Sequence, residues 1–212
     1  DYWVRGARRL SEFEQTELLG LQRVMLVAPS AEVPFKVTGS AGEATLQESM
    51  YRPILDGLAD YRPRSLGDLA QTVSKSGIAF AQLSQAVMLL AAMGVVVAVQ
   101  DDELTASARR HTDRLNAHLM SRARGSSEIG YLASPVSGGG VAVSRFEQLF
   151  MLACAQGKTS PAEWVESAWA ELAARAQRLI KDGKTLESRE DNLAELTRQA
   201  EAFAAKRSPI LK

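Results

Sequence analysis

The chain has 212 residues, 46% of them hydrophobic and 24% charged, which suits one large or two small packed domains and excludes a disordered or disulfide-stapled chain. Lys plus Arg number 25 and Asp plus Glu number 25, so no net charge draws the molecule toward nucleic acid or an anionic membrane. The single cysteine, Cys154, follows Phe150-Met151-Leu152-Ala153 and reads as a buried thiol in a reducing compartment.

No secretory leader is legible, so a cytoplasmic location is expected. The sequence opens at Asp1 without an initiator Met, in the already structured segment Tyr2-Trp3-Val4. It therefore reads as cut from a longer polypeptide.

Helix starts recur as capping boxes, in which a Ser hydroxyl accepts from the amide three residues on and the acidic residue there bonds back. Ser11…Glu14, Ser65…Asp68, Ser144…Glu147, Ser160…Glu163 and Ser188…Asp191 fit, and Pro161 follows the fourth as a favoured first helical residue. The first helix is predicted from Ser11 to Leu21, followed by a strand from Arg23 to Val27. Phe35–Thr38 and Glu43–Leu46 read as a hairpin around Gly39-Ser40-Ala41-Gly42. Three helices follow, over Met50–Ala59, Ser65–Val73 and Ile78–Met93, then a strand over Val95–Gln100 and a short returning strand over Glu103–Thr105.

Three compact helices followed by a hairpin is the winged-helix order. Leu66, Leu69, Ala70 and Val73 supply the second helix's apolar stripe. The uncharged run Ile78–Val99 is long enough to span a bilayer. However, Gln82, Ser84 and Gln85 give it a polar side, and Gly94 interrupts it, so a buried helix turning into a strand fits better.

Beyond this unit the pattern predicts an amphipathic helix over Ala106–Arg124 and a loop over Gly125–Val143. Helices over Arg145–Ala155, Ala162–Ile180 and Arg189–Lys206 follow. The expected class is mainly α (α+β), in three segments: 1–46, a winged-helix-like unit at 47–105, and a C-terminal helical subdomain at 106–212.

The candidate chemistry is sparse. DNA readers place cations or amides on the recognition helix, yet between Ser65 and Gln100 the only cation is Lys75. Arg109, Arg110, Arg114, Arg122 and Arg124 could meet phosphate, but interleaved Asp113 favours a salt-bridged, solvated face. His111 and His118 are seven apart, about 10 Å along a helix axis, too far to share a metal. Gly138-Gly139-Gly140 lacks the spacing and the following Lys of a phosphate loop, and reads as a lid or connector. No nucleophile elbow, zinc helix or paired-carboxylate motif is present.

Several segments carry a family resemblance: Asp1-Tyr2-Trp3-Val4-Arg5-Gly6 with Arg8-Arg9-Leu10-Ser11, and Thr45-Leu46-Gln47-Glu48 leading to Tyr51-Arg52-Pro53-Ile54-Leu55. Further on come Tyr131-Leu132-Ala133-Ser134-Pro135-Val136 with Ser144-Arg145-Phe146-Glu147, and Gln177 to Lys184 with the closing Ser208-Pro209-Ile210-Leu211. The chain resembles, along essentially its whole length, the predicted methyltransferase regulatory domain that follows the catalytic domain in bacterial AdoMet-dependent methyltransferases, including protein-lysine methyltransferases.

The resemblance implies a module that regulates or presents substrate to a catalytic domain. That domain would bind AdoMet and join segment 1–46, and no cofactor, metal or catalytic residue is expected in these residues. A protein substrate is a second expected partner; nucleic acid and membrane are not. No individual functional residue is carried over from the family; the candidates for lid or interface groups in such a module are Tyr131, Ser134, Arg145 and Glu147, although Arg145 and Glu147 equally suit a helix cap and ion pair. The alternative reading is a winged-helix nucleic-acid-binding regulator.

Overall fold

A computed structural model describes residues 6, 8–39 and 42–211. The chain divides into two compact units, 1–99 and 100–212. In the first, the described elements are α1 (Glu12–Leu21), β1 (Arg23–Leu26), β2 (Lys36–Gly39), β3 (Gly42–Thr45), α2 (Glu48–Gly57), β4 (Arg64–Ser65), α3 (Leu66–Val73), α4 (Phe80–Ala92) and β5 (Val96–Ala98).

β1 lies between β4 and β5 in an antiparallel sheet, with Val24 opposite Arg64 on one side and Ala98 on the other. β2 and β3 form the expected hairpin, registered Lys36 to Thr45; Ser40 and Ala41 of its turn lie outside the described residues. From α2, α3 and α4, Ile54, Leu55, Leu69, Leu83 and Leu90, each fully buried, share one core with Leu26 of β1. Each such side chain contributes roughly 1.5–3 kcal/mol relative to exposure. Val24, Leu26, Val33 and Leu46 belong to the same core as α2–α4, so residues 23–46 pack with the three-helix unit.

The returning strand predicted at Glu103–Thr105 does not form. Those residues lie in the first turn of a helix, because Asp102 and Glu103 suit a helix N-terminus electrostatically and are poor strand formers. β5 pairs with β1 instead.

The second unit contains α5 (Asp102–Arg122), β6 (Tyr131–Ala133), β7 (Gly140–Ala142), α6 (Arg145–Ala155), α7 (Pro161–Ala173), β8 (Ile180–Lys181), β9 (Lys184–Thr185), α8 (Arg189–Ala202), a π-helical turn (Phe203–Arg207) and α9 (Ser208–Leu211). Its core is aromatic: Phe150, Trp164 and Phe203 meet with ring centroids 5.7–6.4 Å apart, the offset and edge-on distances aromatic pairs favour. The Trp164 indole N–H donates to Lys158 O at 3.0 Å, so the ring is buried without an orphan donor.

The five Ser caps form as expected, reciprocally at Ser11, Ser144 and Ser160. At Ser65 and Ser188 the hydroxyl accepts from the third amide. α7 stops at Ala173, short of the predicted Ile180, because the chain turns left-handed at Ala176 (φ 52°). Cys154 is exposed rather than buried: α6 buries Leu149, Phe150 and Ala153, and the next residue points about 100° away. No helix among the described residues is long and apolar enough to cross a membrane.

Candidate functional site

The predicted loop at 125–143 contains a hairpin. Tyr131 pairs with Ala142, Leu132 with Val141 and Ala133 with Gly140. Its tip closes through Ser134 N to Gly139 O at 2.8 Å and Gly138 N to Ser134 O at 3.0 Å. Gly138 sits at φ +69°, a conformation that favours glycine, and the flexible end of the Gln100 side chain lies over it.

Helix side chains fix the hairpin along its length. The Asn116 carboxamide of α5 donates to Ala133 O and accepts from Ala133 N, each at 2.8 Å, acting as one residue of an added strand. Gln148 of α6, fully buried, donates to Ile129 O at 2.6 Å and Val143 O at 2.9 Å. Arg207 reaches Ala142 O at 2.6 Å. These bonds suit a fixed platform and argue against a lid.

The four suggested residues do not converge on one cleft. Tyr131 is exposed at 64%. The Ser134 hydroxyl accepts from the Ser137 amide at 3.2 Å and braces the turn. Glu147 accepts from Ser144 N at 2.7 Å and from Arg207 Nε at 3.0 Å.

Arg145 points to the end of α5, donating to Ala123 O at 2.7 Å, Arg124 O at 3.0 Å and Gln177 Oε1 at 2.6 Å. Burial, and then Arg175 nearby, draw its pKa below the usual guanidinium value. Arg145 and Glu147 are thus tied into the scaffold, and Tyr131 is the exposed member of the four.

The bonding amides Asn116, half-buried, and Gln148 and Asn192, fully buried, were not anticipated. Asn192 is fully buried, accepting from Leu179 N at 2.8 Å and donating to Leu186 O and Ser188 O at 2.6 and 2.7 Å. A polar residue inside an apolar helical stretch, as Gln148 is between Phe146 and Phe150, was the available signal. Nearby, Glu195 is buried with Arg198, Gln199 and Lys181 around its carboxylate. The Arg198 guanidinium above all holds its pKa down to about 2.

α4 presents two contrasting faces. Leu83, Ala86, Val87 and Leu90 are buried, while Ala81, Gln82, Gln85, Met88, Ala91 and Ala92 face solvent. Met88 is 71% exposed, and no member of the outer face is charged. That surface lacks the cations that engage phosphate, and a bulky apolar side chain stands at its centre.

On α5, Arg109, Arg110, Arg114 and Arg122 are exposed together with His111 and His118. Among the described residues, Arg124 alone of the five Arg residues holds a carboxylate, that of Glu171 at 3.3 Å, so the expected salt-bridged face is not seen at Arg109, Arg110, Arg114 and Arg122. Gly138-Gly139-Gly140 lies at the hairpin tip and on into β7, not at the strand-to-helix junction where glycine-rich phosphate loops sit. Among the described residues no cluster of three His, Cys, Asp or Glu side chains could hold a metal.

No family model matches the chain, and no solved structure matches it. It is 34% identical, over 211 residues, to a protein of Synechocystis sp. named "Uncharacterized protein sll1526". The match covers 100% of this chain and 41% of that protein, so the chain spans less than half the length of the curated relative it matches.

Proposed function

We propose that this chain is a regulatory, substrate-presenting module of an AdoMet-dependent methyltransferase, acting in the cytoplasm against a catalytic domain that supplies the cofactor site. The outer face of α4 carries the proposal: Ala81, Gln85, Met88 and Ala92 form an uncharged stripe with Met88 71% exposed. Such a stripe loses little on desolvation and gains from apolar contact, which suits a protein partner. The greater length of the relative supports a module working within a larger polypeptide.

We read the first unit as a winged-helix variant. α2, β4, α3, α4 and β5 follow the helix, strand, helix, helix, strand order of that fold. β1, from earlier in the chain, fills the sheet position that a wing strand after β5 would take.

The cofactor, when bound by the catalytic domain, supplies the methyl group. This chain's own residues are given docking and positioning roles, with the exposed Tyr131 beside the braced β6–β7 hairpin as the substrate-facing element. A nucleic-acid reader would need cations on α4, where there are none.

Mixing the chain with the AdoMet-binding domain tests the reading. Association, with a change in methyl-transfer rate, is the expected result. No association at tens of micromolar, a free energy weaker than about −6 kcal/mol, refutes it.

A further inference from the structure

Helix α5 is 21 residues long and buries none of them, and its packing is inside out. Its half-buried side carries Thr105, Ala108, Thr112, Asn116 and Leu119, small or polar save for one leucine, with Asn116 bonded to β6. Leu104 and Leu115 stand on the outside, 53% and 48% exposed, and neither belongs to the second unit's core. A helix of a folded unit ordinarily turns its bulky apolar residues inward.

At about 100° per residue, Leu104, His111, Arg114, Leu115, His118 and Arg122 share one arc of about 100°, and all six are exposed. From His111 to Arg122 they follow at three- and four-residue steps, the spacing by which one helix offers anchors to another. None of the helix's acidic residues shares the arc. Asp102 and Asp113 lie on the far flank, and Glu103 falls just past the edge, about 16 Å from Arg114 along the axis. Arg114 and Arg122 hold no carboxylate among the described residues, whereas Arg124, Arg175, Lys181, Arg198 and Arg207 of the same unit each hold one.

We propose that this face of α5 docks an acidic amphipathic helix of a protein partner. The partner's carboxylates meet Arg114 and Arg122, and its apolar residues cover Leu104 and Leu115. Charge complementarity sets the sign of the occupant, because the face holds cations without carboxylates and no acid of its own. The leucines set its class. A nucleic acid would engage the arginines through phosphates and leave the leucines in water. A lipid surface takes a continuous bulky apolar face, and two leucines about 16 Å apart along the axis do not make one. Opposite charge then steers the encounter and fixes register, while the apolar contact holds the complex.

The test is fluorescence anisotropy of labelled synthetic peptides titrated with the 212-residue chain. The probe is a helix of about 20 residues, long enough to form by itself, built of Glu, Leu and Ala with Leu along one face and Glu beside it. Its scrambled isomer keeps composition and charge and loses the face. The expected Kd for the probe is about 50 μM or tighter in about 50 mM salt, with the isomer at least tenfold weaker. Arg114→Glu with Arg122→Glu weakens the probe at least tenfold, and a probe with Lys in place of Glu regains binding to that variant. Leu104→Ser with Leu115→Ser weakens it about fivefold with the salt dependence unchanged, while Arg109→Glu, on the opposite flank of α5, shifts Kd by less than about threefold. Circular dichroism checks that each variant keeps its helix, and the serine pair keeps the test decisive if the charge-reversed pair does not. No binding of the probe at about 200 μM chain overturns the proposal. So does equal affinity for the scrambled isomer, an equal loss from Arg109→Glu, or a tighter hold on duplex DNA or anionic vesicles through Arg114 and Arg122.

Discussion

Replacing Arg145 by Ala separates a scaffold role from an interface role. The guanidinium makes three hydrogen bonds, two of them to the main-chain carbonyls of Ala123 and Arg124 just beyond α5. Those carbonyls have no intrahelical donor, and Ala123 is 3% exposed, so water cannot replace the lost donor there. Hydrogen bonds from a charged donor are each worth about 1.5–3 kcal/mol and are not additive within one cluster; we expect a loss of about 3 kcal/mol. Spread over residues 100–212, at an unfolding entropy of roughly 2.1 cal/mol/K per residue, that lowers the Tm of the second unit by about 13 °C. Arg145→Lys keeps the charge but cannot span three acceptors, and recovers a minor part. Differential scanning calorimetry reads both variants against Tyr131→Ala, which removes an exposed ring and should leave Tm nearly unchanged. An Arg145→Ala drop below about 3 °C, under 1 kcal/mol by the same conversion, refutes the reasoning and returns Arg145 to the surface.

Asn192→Ala strands the Leu179 amide and the Leu186 carbonyl inside the protein and should cost about 2–4 kcal/mol by urea titration, with faster amide exchange in β8 and β9. The Glu195 carboxyl is held at about 2 in the folded protein, chiefly by Arg198, against an ordinary 4.5. A depressed folded pKa contributes stability that is complete above the ordinary value and lost as pH falls through the folded one. Urea midpoints should therefore decline more steeply between about pH 4.5 and 2 in the parent than in Glu195→Gln. Ala176, exposed and at φ 52°, occupies a conformation that costs a residue with a Cβ about 1–2 kcal/mol. Ala176→Gly recovers part of it against the greater chain entropy of glycine, raising stability by a few tenths to 1 kcal/mol in the same titration.

Local signals in the sequence carried much of the fold. A Ser with a carboxylate three residues on is a self-contained bonding pattern, and α6 begins at Arg145 and ends at Ala155 as its cap and apolar run imply. The β2–β3 hairpin was legible because strand formers flank a glycine-bounded turn. Glu103–Thr105 misled because the winged-helix order called for a strand there, while its acidic side chains favour a helix start. The β6–β7 hairpin was obscured because its pairing depends on Asn116 and Gln148, brought from 17 and 19 residues away in sequence. An Ala-rich stretch with no Gly or Pro gave no warning of the turn at Ala176. For Cys154, an apolar run identified a helix but not which of its sides would face the core.

At the candidate site the legible part was negative charge-wise: a helix without cations from Phe80 to Ala92. Which of its side chains face solvent depends on the core that α4 shares with α3 and β5, and that required the tertiary structure. Arg145 and Glu147 were visible as a helix start, and their partners Ala123, Gln177 and Arg207 were not, since each lies 22 to 60 residues away.

The central claim is that the outer face of α4 docks a protein domain that performs the chemistry. The direct measurement is titration calorimetry of an AdoMet-binding methyltransferase domain into the chain, comparing Met88 with Met88→Glu. The account predicts saturable binding by the parent and a Kd at least tenfold weaker for the variant, a difference of about 1.4 kcal/mol, with the fold intact by circular dichroism. Equal affinities, or AdoMet binding by the chain alone, would contradict it.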